Sequence, residues 1–144
     1  MMNIGNTNDP FYRYKMPVPK LEYQGKKTVI TNLDKISESL YRIPTEIMKF
    51  VSNSLGTNCS GNSINGKHDL SKINSILADY INVFILCSEC DYPECNYAIK
   101  NEKELLKVCT ACGKESPVTH KLVPHIVKEV LNGKYDNIKC VNNS

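Results

Sequence analysis

The segment Phe84–Cys112, FILCSECDYPECNYAIKNEKELLKVCTAC, holds two pairs of closely spaced cysteines. Cys87 and Cys90 form the first pair, Cys109 and Cys112 form the second, and eighteen residues separate the pairs. Each pair can close a tight turn that directs two thiolates to one point, which is the ligand pattern of a tetrahedral zinc site. Because four thiolates leave no open position for water or substrate, the pattern predicts a structural metal and not a catalytic one.

Apolar stretches lead into both cysteine pairs. Phe84–Leu86 precedes the first pair and Leu105–Val108 precedes the second, and both stretches are predicted to be strands. A strand followed by a cysteine turn, repeated once, is the layout of a zinc ribbon. Two alternatives stay open: an iron centre, which four thiolates also suit, and two redox-active dithiol pairs. The redox alternative lacks the βαβ context that such motifs have.

The cysteine count argues against a secreted protein. Seven cysteines in 144 residues are about 5% of the chain, below the roughly 8–10% of a secreted disulfide scaffold. Cys59, Cys95 and Cys140 have no close partner and are predicted to be ordinary small residues. With no secretion signal and no run of eighteen apolar residues, we expect a soluble cytoplasmic protein that does not contact membranes and is a monomer when free.

The net charge of +3 is unevenly placed along the chain. Residues 1–49 hold eight Lys and Arg against five Asp and Glu, whereas residues 50–144 hold ten of each. The excess therefore lies in the N-terminal third, which is compatible with RNA or an acidic protein as partner.

The order of elements predicts an α+β fold, small enough for one compact domain or for a small domain with a metal-stapled module beside it. A last helix is predicted at about Lys121–Leu131, and Gly133 ends it. We divide the chain into a flexible N-terminal arm at 1–19, an α/β subdomain at 20–84, a zinc ribbon at 85–120, a closing helix at 121–133 and a polar tail at 134–144.

The α/β subdomain is predicted to begin with a strand. Lys27–Thr31 is short and rich in β-branched residues. A helix follows, capped by Asn32 or Asp34, with Ile36 and Leu40 on its inner face.

Two further helices and a turn complete the subdomain. A second helix is predicted to start at Thr45, after Pro44, and to stop at Gly56. The polar stretch Thr57–Gly66 predicts a trimmed hairpin or a loop. A longer helix is capped by Asp69. Its apolar positions fall on one stripe: Leu70, Ile73, Ile76, Leu77, Tyr80 and Ile81.

The arm is predicted to be extended, since it is rich in Asn and Pro and shows no period. Its centre nevertheless holds three aromatic residues, Phe11, Tyr12 and Tyr14, around Arg13 and Lys15. Disordered segments normally lack such residues. Either the rings bind a partner and hold Arg13 on it, or they fold back onto the core of this protein and leave Arg13 in solvent.

The remaining candidate sites do not form a catalytic group. Gly61–His68 nearly matches a phosphate-binding loop, but no Ser or Thr follows Lys67 and no apolar strand precedes the segment. His68, His120 and His125 are scattered and have no partnered nucleophile. His120 is the best candidate for a substitute zinc ligand. We therefore expect no intrinsic nucleotide binding and no enzyme activity of the chain itself.

The segment Asp9-Pro10-Phe11-Tyr12-Arg13-Tyr14-Lys15-Met16-Pro17 resembles the N-terminal tail in the family of translation initiation factors 5 and 2 beta. The likeness continues through Lys27–Asn32, Ile64–His68, Phe84–Cys90 and the second cysteine pair, at the spacing of that family. Nearly the whole chain is covered. Because many proteins contain a zinc ribbon, the tail segment carries the specificity of the resemblance.

The resemblance implies a subdomain like that of initiation factor 2 beta and a non-enzymatic GTPase activator. Such a factor stimulates GTP hydrolysis by the gamma subunit of initiation factor 2 in the small-subunit preinitiation complex. GTP and Mg²⁺ are then held by that partner, and initiator tRNA and the small ribosomal subunit are further partners. In the resemblance Arg13 matches an arginine finger, while Lys27 and Lys49 match lysines implicated in the same activity.

Phosphoryl-transfer chemistry is compatible with that role. An always-protonated, planar guanidinium supplied from outside can speed phosphoryl transfer by about 10³–10⁵-fold, and lysine is a poor replacement. Two rival functions remain: a structural beta-like subunit of initiation factor 2, and a general RNA-binding zinc-ribbon module, which would bind RNA with a strong salt dependence.

The sequence also departs from the family. The stretch between Met16 and Lys27 is short, the hairpin at residues 57–64 is trimmed, and the C-terminal helical-repeat domain of the family has no counterpart in the sequence. A minimal activator, a fragment and a competitor of the full factor are therefore three alternatives.

Overall fold

The computed structural model of the chain describes residues 2–5 and 7–133. Within these ranges it confirms the α+β fold, with four α-helices, one π-helix and three antiparallel sheets. The predicted polar tail at 134–144, with Cys140, lies outside the described residues. No helix in the described part of the chain combines the length and the apolar character needed to span a bilayer.

The α/β subdomain is built on a four-stranded sheet with the order β3-β4-β6-β5. Its strands are β3 (Leu21–Gln24), β4 (Lys27–Ile30), β5 (Cys59–Ser60) and β6 (Ser63–Asn65). The predicted strand after Gly25 is confirmed as β4, and the polar stretch after Gly56 forms the short β5–β6 hairpin.

Three helices accompany this sheet at the predicted places: α1 (Leu33–Leu40), α2 (Pro44–Leu55) and α3 (Leu70–Tyr80). Helix α2 begins one residue before the predicted Thr45, since the fixed φ of Pro44 suits a first helical turn. It ends at Gly56, which has the left-handed φ of 68°. Asp69 caps α3 as predicted and accepts a hydrogen bond from the Lys72 N–H at 2.8 Å.

The predicted strand at Phe84–Leu86 is wrong. Helix α3 continues into a π-helix at Ile81–Ile85, in which the Leu86 N–H donates to the Ile81 carbonyl at 2.9 Å. The Phe84 ring lies against Tyr80, four positions earlier, with 5.2 Å between ring centroids. A short apolar run is compatible with a strand or a buried helix, and the ring packing decides for the helix.

The ribbon is a three-stranded sheet with the order β7-β8-β9. Its strands are β7 (Cys95–Lys100), β8 (Glu104–Cys109) and β9 (Glu115–Pro117), followed by α4 (Val123–Leu131). The predicted strand at Leu105–Val108 is confirmed inside β8. Helix α4 confirms the predicted closing helix, begins two residues later than expected and buries Ile126.

The subdomain and the ribbon share one apolar core. This core joins Leu105, Val118 and Ile126 from the ribbon part to side chains of α1, α2 and α3. Inside the subdomain part of this core, the rings of Phe50 and Phe84 pack edge to face, with centroids 5.8 Å apart. The two predicted parts therefore bury their apolar surface against each other.

A buried polar group also joins the two parts. Arg42, 4% exposed, donates to the carbonyls of Phe84 at 3.0 Å and Cys95 at 3.2 Å. Its guanidinium lies over the ring of Tyr97 in β7, 4.1 Å from the centroid. Glu46 of α2 accepts a hydrogen bond from the Tyr97 hydroxyl at 2.7 Å. Side chains of the subdomain thus satisfy polar groups of the ribbon inside the core.

The predicted extended arm is not confirmed, because the N-terminal residues fold back onto the body. Strand β1 (Met2–Asn3) pairs antiparallel with β2 (Lys15–Met16). The side chains of Ile4 and Met16 are buried in the shared core. Their burial offsets the entropy lost on ordering the segment, a contribution that an Asn- and Pro-rich composition does not reveal.

Candidate metal centre and the arginine loop

The four paired cysteines converge at one point. Their sulfur atoms all lie within 4.8 Å of one another. The closest approaches join different pairs: Cys87 to Cys112 at 3.5 Å, and Cys90 to Cys109 at 3.6 Å. A tetrahedron with Zn–S bonds of about 2.3 Å has edges of about 3.8 Å. The sulfur positions therefore fit a four-thiolate metal ion, and they do not form two separate dithiols.

The two cysteine turns have the same backbone hydrogen bonds. In the first, the Asp91 N–H donates to the Cys87 carbonyl at 3.1 Å. In the second, the Gly113 N–H donates to the Cys109 carbonyl at 2.9 Å. Asp91 and Gly113 both have a left-handed φ, of 63° and 80°. Each turn thus aims its two sulfurs in the same way, which explains the convergence.

A second bond closes each turn. The Cys87 N–H donates to the Tyr92 carbonyl at 3.1 Å, and the Cys109 N–H donates to the Lys114 carbonyl at 3.0 Å. Residues two positions after each pair are therefore fixed to the metal centre through their backbone.

Backbone N–H groups favour ionised sulfur at Cys87. Burial raises the pKa of the Cys87 thiol, while the N–H groups of Cys90 and Glu89 lower it, and the pKa falls to about 7. The Glu89 N–H lies 3.3 Å from the Cys87 sulfur. Such N–H groups stabilise thiolates in both the free and the metal-bound site.

A metal in this site has a structural role. Four thiolates would hold zinc with closed coordination, so the ion would join the two turns and supply no open position for catalysis. Cys95 lies beside the site, paired with Cys109 in the β7–β8 ladder, and Cys59 lies in β5. Neither belongs to the converging group.

The loop between β1 and β2 carries Arg13. We call its residues 7–14 the arginine loop. Asp9 starts a turn with Pro10 next, and the Tyr12 N–H donates to the Asp9 carbonyl at 3.1 Å. Lys15 closes the loop, since its ammonium donates to the Asn3 side chain at 2.7 Å and to the Pro10 carbonyl at 3.0 Å.

Inward and outward side chains alternate along the arginine loop. Tyr12 and Tyr14 are half-buried, and their ring centroids lie 5.5 Å apart. Phe11 is 91% exposed and Arg13 is exposed. The guanidinium of Arg13 lies 5.5 Å from the Tyr14 ring centroid. Of the three aromatic residues predicted to bind a partner, Phe11 alone has its ring in solvent.

The two predicted lysines lie on other elements. Lys27 is exposed at the start of β4, and Lys49 is exposed on α2. Lys49 lines a cavity of about 530 Å³ that His125 and Glu129 also line. Among residues 2–5 and 7–133, no hydrogen bond or ring contact joins either lysine to Arg13.

Two of the histidines, His120 and His68, have packing or hydrogen-bonding roles. His120 stacks against Phe50 and Phe84 with centroids 5.1 and 5.4 Å away, and it lies outside the converging cysteines. A nitrogen of the His68 ring lies 2.9 Å from the Asn65 carbonyl. The predicted substitute ligand, His120, therefore packs against two core rings and is not among the converging ligands.

Sequence reasoning missed Tyr92 and Glu94. Both follow the first cysteine turn, and both interact with Tyr14 of the arginine loop. The available signal was that Tyr92, an aromatic residue, lies two positions after Cys90. Its partner, Tyr14, is about eighty residues away in the sequence. No local pattern reports such a contact.

Comparisons with known proteins agree with one family. The model of the domain found in initiation factors 2B and 5 matches residues 5–115. The chain is similar to eukaryotic translation initiation factor 5 of Saccharomyces cerevisiae, with 36% identity over 140 residues, 88% of this chain and 35% of that protein. It is similar to factor 5 of Dictyostelium discoideum, with 39% identity over 135 residues, 85% of this chain and 34% of that protein.

An archaeal protein is similar as well. Translation initiation factor 2 subunit beta of Methanothrix thermoacetophila is 34% identical over 119 residues, 80% of this chain and 57% of that protein. The chain therefore spans about a third of the length of these factor 5 relatives and rather more than half of the archaeal one.

Proposed function

This chain belongs to the family defined by the domain of initiation factors 2B and 5, and from that membership we propose that it stimulates GTP hydrolysis by a partner GTPase during translation initiation. The partner is the gamma subunit of initiation factor 2 in the small-subunit preinitiation complex. The chain works in the cytoplasm, beside initiator tRNA and the small ribosomal subunit, and is itself no enzyme.

The exposure of Arg13 on an ordered loop carries this proposal. Among the described residues, Arg13 makes no ion pair, and its one described contact is with the face of Tyr14. A guanidinium in this position is free to donate to phosphoryl oxygens of a nucleotide bound elsewhere. Charge that develops on those oxygens during transfer is then stabilised by Arg13.

The nucleotide belongs to the partner in this proposal. The segment that nearly matched a phosphate-binding loop is the β5–β6 hairpin, and Gly61 lies in its turn. In the proposed complex Mg²⁺ and GTP bind the GTPase, and the chain contributes Arg13 from outside. Phe11, exposed next to it, is the side chain best placed to contact the partner. Lys27 on β4 and Lys49 on α2, both exposed, add charge contacts to the complex.

The metal is proposed to be zinc with a structural role. Cys87, Cys90, Cys109 and Cys112 offer four thiolates within 4.8 Å of one another, and a reducing compartment keeps such thiolates available. The ion then fixes the ribbon that packs against the subdomain core.

Single-turnover GTP hydrolysis in reconstituted initiation complexes tests the role of Arg13. Arg13→Ala should slow hydrolysis by about 10³-fold or more, because the transition-state charge loses its partner. Arg13→Lys should recover little of the rate, since lysine lacks the planar fork. Lys20→Ala removes one exposed positive charge outside the loop and serves as the matched control.

Two results would contradict the proposal. Hydrolysis at the normal rate with Arg13→Ala, while the variant binds normally, would exclude the finger. Stoichiometric copurification with the gamma subunit in every nucleotide state would instead favour a beta-like subunit.

A further inference from the structure

We propose that the first cysteine turn is the platform that holds the arginine loop, with Tyr92 and Glu94 as positioning residues for Arg13. This inference rests on the proposed function and adds to it a reason why the metal-binding ribbon and the arginine occur in one domain. It assigns the ribbon a part in presenting the arginine, beyond closing the fold.

Direct contacts join the loop to the turn. The ring centroids of Tyr14 and Tyr92 lie 6.0 Å apart. Glu94 is buried and lies close enough to Tyr14 that, after burial itself, its carboxylate is the main cause that raises the pKa of the Tyr14 hydroxyl. A cleft of about 270 Å³ lies between the loop and the turn, and its walls are Thr7, Tyr12, Cys90, Asp91 and Tyr92.

The two positioning residues are themselves fixed to the metal site. The Tyr92 carbonyl accepts the Cys87 N–H at 3.1 Å. The Glu94 carbonyl accepts from both the N–H and the hydroxyl of Thr110, at 2.9 and 3.0 Å. Because Thr110 belongs to the second cysteine turn, Glu94 is fixed to that turn, while Tyr92 is fixed to the first. A metal that joins the turns would thus also fix Tyr92 and Glu94, the residues against which the loop packs.

The start of the loop is close to the same surface. A Cβ placed on Gly5 would lie 3.6 Å from the Tyr12 hydroxyl and 3.7 Å from the side chain of Leu86, which precedes Cys87. Gly5 also has a φ of +134°, which other residues rarely adopt. The chain therefore enters the loop along the segment that leads into the first cysteine turn.

The docked loop presents Arg13 and does not hide it. Tyr12 and Tyr14 face the platform, whereas Phe11 and Arg13, which alternate with them, face solvent. A loop held in this way has already lost its backbone freedom before the partner binds. Arg13 then needs less ordering in the transition state, and its guanidinium is kept near one position.

The experiment compares loop order and hydrolysis in the full chain. Backbone ¹⁵N relaxation should give order parameters of about 0.8 or above for residues 11–14 in the wild type. Tyr92→Ala should lower these values below about 0.6. It should also slow single-turnover hydrolysis at saturation by about 10- to 100-fold with an unchanged half-saturating concentration, since the misplaced arginine acts in the transition state.

Three variants separate positioning from general damage. Tyr92→Phe keeps the ring and should restore both order and rate. Tyr14→Phe removes only the hydroxyl that interacts with Glu94, and should loosen the loop even if Tyr92→Ala folds poorly. Tyr23→Ala is the matched control, because Tyr23 and Tyr92 are similarly exposed, 50% and 46%, and Tyr23 lies on the four-stranded sheet.

Each adverse result has its own meaning. An arginine loop that stays ordered in both Tyr92→Ala and Tyr14→Phe overturns the platform. A loosened loop with a normal saturated rate overturns the positioning role. If Arg13→Ala alone leaves hydrolysis unchanged, the proposed function fails, while loss of loop order in Tyr92→Ala still supports docking on the turn.

Discussion

At the scale of single residues, the molecule buries ionisable groups where neighbouring atoms satisfy them. Lys107, 6% exposed, donates to the Leu86 carbonyl at 2.7 Å, and burial lowers the pKa of its ammonium. It lies two positions before Cys109, so its positive charge is available to the thiolates of the metal centre. Burial also lowers the pKa of the His120 ring, and so favours its neutral form.

The packing of His120 predicts a pH effect on stability. Burial, with a smaller effect of Lys121, lowers the pKa of His120 in the folded protein, and its Nδ1 accepts the Leu122 N–H at 3.2 Å. The unfolded chain binds a proton at about pH 6.5, and the folded chain binds it only at lower pH. Below about pH 6.5 the unfolded state therefore holds more protons, and the free energy of unfolding falls.

Urea unfolding between about pH 8 and pH 5, with zinc in excess, measures this effect. His120→Phe keeps a ring against Phe50 and Phe84 but cannot titrate. Relative to the wild type, the variant should gain stability as the pH falls below about 6.5. Parallel stability curves for the two proteins would contradict a lowered histidine pKa.

At the scale of elements, the two cysteine turns have the same backbone conformation, although their residues differ. Both need a left-handed residue directly after the second cysteine, and the chain uses Asp91 in one turn and Gly113 in the other. Asp and Asn tolerate this conformation better than other side chains, and β-branched residues tolerate it worst. The space around Gly113 is open, with no atom within 4 Å of an added Cβ.

The equivalence of the turns predicts which substitutions Gly113 accepts. Gly113→Val should strain the second turn by about 1–3 kcal/mol and weaken zinc binding about tenfold or more, because the backbone conformation and not the space is limiting. Gly113→Asp copies the first turn and should bind zinc nearly as tightly as the wild type. Competition with a chromogenic chelator measures both affinities, and equal affinities for Val and Asp would refute the strain argument.

At the scale of the whole molecule, the subdomain and the ribbon behave as one packed body. They share an apolar core, and Arg42 spans the boundary to satisfy carbonyls of the π-helix and of β7. Glu46 and Arg42 both interact with Tyr97, so opposite charges meet inside the core. Removing one charge of such a group leaves the other without compensation.

Arg42→Met should therefore destabilise the protein by about 3–5 kcal/mol. The change removes the donors for two buried carbonyls and leaves Glu46 buried without this cation. Lys35→Met is the control, since Lys35 is paired with Glu38 on the surface at 3.9 Å with both side chains more than 70% exposed. It should change stability by less than about 1 kcal/mol.

Thermal and urea unfolding of the two variants test the contrast. A small effect of Arg42→Met, comparable to that of Lys35→Met, would show that the polar group adds no stability across the boundary.

Local patterns in the sequence were sufficient for much of the fold. Helix α3 was recognisable because its apolar stripe and the Asp69 cap are both local, and β4 because its β-branched residues are contiguous. The metal centre was recognisable because the chemistry of four thiolates at that spacing has few other uses. The prediction of a strand at Phe84–Leu86 was wrong because the packing of the Phe84 ring against Tyr80 and Phe50 decided the conformation.

The amino-acid sequence alone determined which four cysteines converge, the α+β class and the presence of an arginine among aromatic residues. Only the tertiary structure decided which of those aromatic rings turn inward. Tyr14 interacts with Tyr92 and Glu94, which follow it in the sequence by about eighty residues. Spacing and propensity report interactions between neighbours in the chain. The burial of Ile4 and Met16, and with it the ordered loop that exposes Arg13, depends on surfaces that exist only after the chain has folded.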